Sequence, residues 1–165
     1  MKGVINIEFI IAAIVFLSTI CFVAISILSN VPYLHHESLV ENIKSRIYQI
    51  SNTLIFDKGL STSGSDNWNR NNVARIGLST GEPYVMDINK INELDSLCNV
   101  EGKYEQVDNM LTDYSTYIEL NMSYMDGTQI LDCRPVNKEG LEFTLKRFGT
   151  VGGNLVSFEI TLIGI

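Results

Sequence analysis

Residues 9–28 of this chain carry no charge, and 17 of the 20 are apolar, the exceptions being Ser18, Thr19 and Ser26. Twenty helical residues rise about 30 Å, the thickness of the hydrocarbon core of a bilayer. A helix apolar on every side has no solvated face, so it needs lipid or other helices around it. The run also explains how a chain with a net charge of −7 keeps a mean hydropathy of +0.13. What remains is about 39% apolar, enough for one folded domain. The 19 acidic residues outnumber the 12 basic ones. That balance argues against a nucleic-acid partner, which needs clustered Lys and Arg.

The flanks of the run separate its identities. A secretory signal peptide has a charged start, an apolar stretch of about 7–15 residues and a small-x-small cleavage site. Here only Met1-Lys2-Gly3 precede the apolar region, and the run is too long. A plain anchor, oriented with Lys2 inside, fits the length. It gives no role to Glu8, which sits within Val4-Ile5-Asn6-Ile7-Glu8-Phe9-Ile10-Ile11. A charge near the centre of a membrane helix costs about 2.5–3.5 kcal/mol, and less toward its ends. Glu8 is therefore either an interfacial residue or one with a dedicated partner. Cleavage after Gly3 would make Val4 the first residue and Glu8 the fifth.

Lys2-Gly3 followed by this apolar segment with its carboxylate resembles the class III signal peptide of type IV pilin-like proteins, in its archaeal pilin and archaellin form. Of the archaeal pattern Q-x-S-x-E-x-x-x-L, the shared position is Glu8; Val4, Asn6 and Ala12 stand at the others. The resemblance covers about 30 residues and implies cleavage between Gly3 and Val4 by a prepilin peptidase on the cytoplasmic side, with retention of the helix in a filament core. It further implies an assembly machinery and other pilin subunits as partners, and a head outside the cell. The new α-amine at Val4 is charged below a pKa of about 7.7–8.0. Glu8 of one subunit can pair with the amine of a neighbour, and an unpaired buried charge penalises a slipped register.

Beyond the run, Asn30-Val31-Pro32 predicts a kink or break in the helix. Residues 33–57 read as helix again, with Val40, Ile43, Ile47, Ile50 and Leu54 forming an apolar seam. The expected layout is a leader at 1–3, a membrane and assembly helix at 4–30, a second helical half packed on the head at 31–58, and a globular head at 59–165. Residues 59–66 read as a flexible connection and 73–78 as a short strand. Asp87 is placed to cap a short helix marked by Ile88, Ile91, Leu94 and Cys98. Residues 103–111 suggest another helix. Alternation predicts strands at 116–124, 129–133, 141–148 and 155–163, joined in hairpins at Asp126-Gly127 and across residues 149–154. The fold class is α+β: a long N-terminal helix on an antiparallel sheet of about four strands.

Few residues suggest chemistry. Cys98 and Cys133 fall on the exported side of this topology, where a disulfide persists, although two buried thiols need no special explanation. Cys21 lies in the apolar run and reads as a small apolar residue. Asn121-Met122-Ser123 is an N-glycosylation sequon on the polar side of its strand. His35 and His36 diverge on a helix and complete no metal-ligand spacing. With no CxxC, nucleophile elbow or phosphate-binding loop, the sequence offers no catalytic residue, cofactor site or metal site. It reads as a structural filament subunit serving adhesion. The alternative is a membrane-anchored extracellular protein whose head binds a ligand or partner.

Overall fold

The computed structural model describes residues 7–100, 103–112, 116–135 and 140–164, and at 30–36 and 39 the backbone alone. The elements in order are α1 (Ile7–Phe56), β1 (Leu60–Ser61), β2 (Val73–Arg75), β3 (Val85–Met86), α2 (Ile88–Asn99), α3 (Tyr104–Leu111), β4 (Thr116–Tyr124), β5 (Gln129–Cys133), β6 (Leu141–Val151) and β7 (Asn154–Gly164). They fall into two compact units, Met1–Asn42 and Ile43–Ile165. Helical backbone continues through Pro32, so the chain does not break there. The helical part belonging to the head is residues 43–56, shorter than the 31–58 expected.

The head sheet has five strands in the order β3-β6-β7-β4-β5, not four. Nor is it wholly antiparallel, because β3 lies parallel to β6, pairing Val85 with Thr150 and Met86 with Val151. The remaining pairs are antiparallel, as the alternating sequence predicts. The β6–β7 hairpin turns through Gly152 and Gly153, both at positive φ (58° and 83°), which suits a two-residue turn matched to the sheet twist. In the β4–β5 hairpin the Asp126 carboxylate accepts the Thr128 N–H at 2.8 Å, and Gly127 takes φ 90°.

One face of the sheet carries the core. Ile118, Leu120 and Met122 of β4 and Val156, Phe158, Ile160 and Leu162 of β7 are fully buried. They pack with Ile47, Leu54 and Ile55 of α1 and Ile91, Leu94 and Leu97 of α2. Of the seam read from the sequence, Ile47 and Leu54 are buried in the head, and Ile43 and Ile50 are partly buried against the same core. Asp87 caps α2 through the Asn89 N–H at 2.9 Å.

Residues 59–66 are not the loose connection expected. Leu60 and Ser61 pair with β2, and the Ser61 hydroxyl accepts the Ser65 N–H at 3.0 Å. The strand expected at 73–78 is only Val73–Arg75. Trp68 covers this corner and donates from its indole nitrogen to the Gly77 carbonyl at 2.9 Å.

Candidate functional site

The first candidate is the apolar segment of α1. Ile7–Ser29 is the one helix among the described residues long and apolar enough to cross a membrane, and none of it is buried. Three of its hydroxyls are satisfied within the helix: Ser18 donates to the Val15 carbonyl at 2.8 Å, Thr19 to Phe16 at 2.7 Å and Ser29 to Ile25 at 2.8 Å. A helix that satisfies its polar groups internally suits a water-free environment. Phe9, Phe22 and Leu28 stand at least 70% exposed, and the segment has no amphipathic stripe. Such a surface has the length and composition of a membrane anchor or a signal sequence.

Glu8 lies in the first turn of α1. A carboxylate there also interacts favourably with the helix dipole. Gly3 and Val4 lie outside the described residues, as do the side chains of His35 and His36.

In the head, Cys98 at the end of α2 is bonded to Cys133 of β5, with Cα atoms 5.3 Å apart. Beside this bond the Asp95 carboxylate accepts the Asp132 N–H at 3.0 Å. Helix α2 is thus tied to β5 twice, through the disulfide on the buried face and through Asp95 on an outward N–H. Asn121 sits half-buried in the interior strand β4, opposite Asp132 on one side and Glu159 on the other. This is a strand position, whereas sequons usually mark surface loops.

Three polar side chains organise the head: Tyr104, expected to point inward on its helix, and Lys90 and Asp108, which the sequence did not single out. Lys90 is 6% exposed, and its ammonium donates to the carbonyls of Lys58 (2.7 Å) and Ser79 (3.1 Å). Burial pushes its pKa down, partly offset by the charge of Asp87. Tyr104 and Asp108, one turn apart on α3, both reach Ile118 of β4: the tyrosine hydroxyl donates to its carbonyl and the carboxylate accepts its N–H at 3.0 Å. Burial, then the charge of Asp108, pushes the Tyr104 pKa up. The usable signal was the i, i+4 spacing of a tyrosine and an aspartate on an amphipathic helix, but a solvated face has the same appearance.

Two open hollows mark the head surface. One, about 520 Å³, lies between the hairpin tips and is lined by Tyr124, Met125, Asp126, Thr128, Asn154 and Leu155. The other, about 620 Å³, runs beside the end of α1. Its charges pair with one another, Lys58 with Asp66 at 3.2 Å and Arg75 with Asp57 at 3.0 Å. No three His, Cys, Asp or Glu side chains among the described residues converge on a metal position. The chain matches no protein-family model, no curated protein and no solved structure.

Proposed function

We propose that this protein is a structural subunit of an extracellular type IV pilus-like filament, of the archaeal kind, serving surface adhesion. The observation that carries the reading is the pairing of a short Lys2-Gly3 leader with an unburied apolar helix that holds Glu8 in its first turn. A prepilin peptidase cuts between Gly3 and Val4, and the assembly machinery moves the helix from the membrane into a bundle of identical helices. Glu8 pairs there with the freed Val4 amine of a neighbour and so fixes register. Loss of Lys2 takes the net charge from −7 to 11 − 19 = −8, and the acidic head faces outward.

Mass spectrometry of the native N-terminus tests the first step. A chain beginning at Val4 supports the filament subunit; one that keeps Met1 and is dispersed singly in the membrane supports the anchored protein with a binding head. A Glu8→Ala strain should export the chain and form no filament. Normal filaments from that strain would overturn the register role.

A further inference from the structure

The two edges of the head sheet are treated differently. Edge strand β5 is tied to α2 by the Cys98–Cys133 bond, and its outward Asp132 N–H is taken by Asp95. At the other edge, β3 covers β6 only at Thr150 and Val151, and no described strand pairs with residues 141–149 on that side.

The hydrogen-bonding phase of that open stretch is fixed. The Thr150 N–H donates to the Tyr84 carbonyl, away from β7. The β6–β7 register runs unbroken from Leu141 to Val151. Alternation along the strand therefore turns the main-chain groups of Glu142, Thr144, Lys146 and Phe148 toward the open edge. All four side chains are exposed.

We propose that this edge binds a second copy of itself, β6 against β6 in antiparallel register centred on Thr144. In that register Thr144 faces Thr144, and Glu142 of each copy faces Lys146 of the other, with Phe143 against Leu145 on the helix-bearing face. Every inward-pointing residue meets another, so each pair exchanges main-chain hydrogen bonds. Shifting the centre to Glu142 or Lys146 sets like charges opposite each other, which is unfavourable. Shifting it to Phe143 or Leu145 leaves both charges without an opposite partner. A lysine in the middle of an edge strand ordinarily guards against pairing. Here Lys146 already pairs with Glu159 at 2.6 Å, and Glu142 of the second copy adds a carboxylate on its open side.

The geometry also sets how the two chains lie. Ile43 approaches Gly164, the β7 partner of Leu141; Ser51 accepts a hydrogen bond from Arg147; and Phe56 stacks edge-on against Tyr84, beside Gly149. Residues 43–56 therefore run alongside β6 in the same direction. Antiparallel pairing of β6 reverses residues 43–56 between the two copies in the joined ten-stranded sheet. This inference does not rest on the filament reading; it holds equally for a permanent anchor.

The test uses the full chain with Cys21→Ser, reconstituted in phosphatidylcholine vesicles and mildly oxidised. Thr144→Cys should give disulfide-linked dimers at least tenfold faster than Thr161→Cys, its neighbour on β7. Glu142→Lys should abolish this preference, and adding Lys146→Glu to it should restore it in part. Thr144→Pro removes an outward N–H and should prevent dimers in amine cross-linking while leaving the melting transition of the head in place. Equal cross-linking at positions 144 and 161 would overturn the proposal, as would Thr144→Cys cross-linking unaffected by Glu142→Lys.

Discussion

The Tyr104 hydroxyl donates to the main-chain carbonyl of Ile118 at 2.5 Å, while Asp108, one helical turn on, accepts the N–H of the same residue. Ile118 lies where β4 has outrun β5, whose pairing reaches only Leu120 opposite Cys133. Two side chains of α3 thus supply the edge partners that a longer β5 would have given. Both groups of a buried residue are satisfied without a strand.

This contact makes the head sensitive to alkali. The Tyr104 pKa is raised in the folded state, by burial first and by Asp108 second. Its contribution is fully present below the unfolded tyrosine value of about 10 and is lost as the pH climbs beyond it. Thermal melts should fall between pH 9 and 11 by a larger margin in the native chain than in Tyr104→Phe. Equal falls would remove Tyr104 as the cause.

Lys90 should resist replacement even by an apolar side chain of similar length. Lys90→Met leaves the carbonyls of Lys58 and Ser79 without their donor. A buried acceptor stripped of its partner costs about 1–3 kcal/mol. Urea unfolding followed by the emission of Trp68, which is 2% exposed, should show a loss of that order.

The Cys98–Cys133 bond closes a loop of 35 residues. In the chain-entropy account a loop of that size contributes about 3–4 kcal/mol. Reduction, or the Cys98→Ser/Cys133→Ser double variant, should lower the head's melting temperature by roughly 10–15 °C. The β5 end of the sheet should lose amide-exchange protection first.

Gly59 ends the turn after α1 at φ 72°, and a Cβ there would stand 2.4 Å from the Trp68 indole nitrogen. Gly59→Ala should therefore displace the indole, break its bond to Gly77 and red-shift its emission. Backbone strain of about 1–2 kcal/mol adds to the loss. An unchanged spectrum would show that the corner rearranges without the ring.

Local chemistry made much of the head readable. Alternation placed β4 and β5 at the residues where they occur, because each buries Leu or Met on one face only. Asp87 announced α2, and Gly152-Gly153 required a turn, through properties confined to a few neighbouring residues. The strand β3 was not legible, since Val85–Met86 is too short to show a period and its partner lies 65 residues away. Tyr104 reads as an inward residue of its helix, and it does pack against the core, but its bond to Ile118 was not legible. Lys90 and Asp108 looked like solvated charge for the same reason: the carbonyls and N–H that hold them come from other parts of the chain.

The sequence by itself determined the apolar helix, the strands' inward faces and the position of Glu8, because hydrophobic transfer and side-chain period act on the local order of residues. Tertiary structure alone decided that β3 joins in parallel, that Cys98 meets Cys133, and that no described strand pairs with the outer side of β6 along residues 141–149. Those outcomes depend on which distant backbone groups find each other first, and loop closure over tens of residues writes no pattern into the residues it joins.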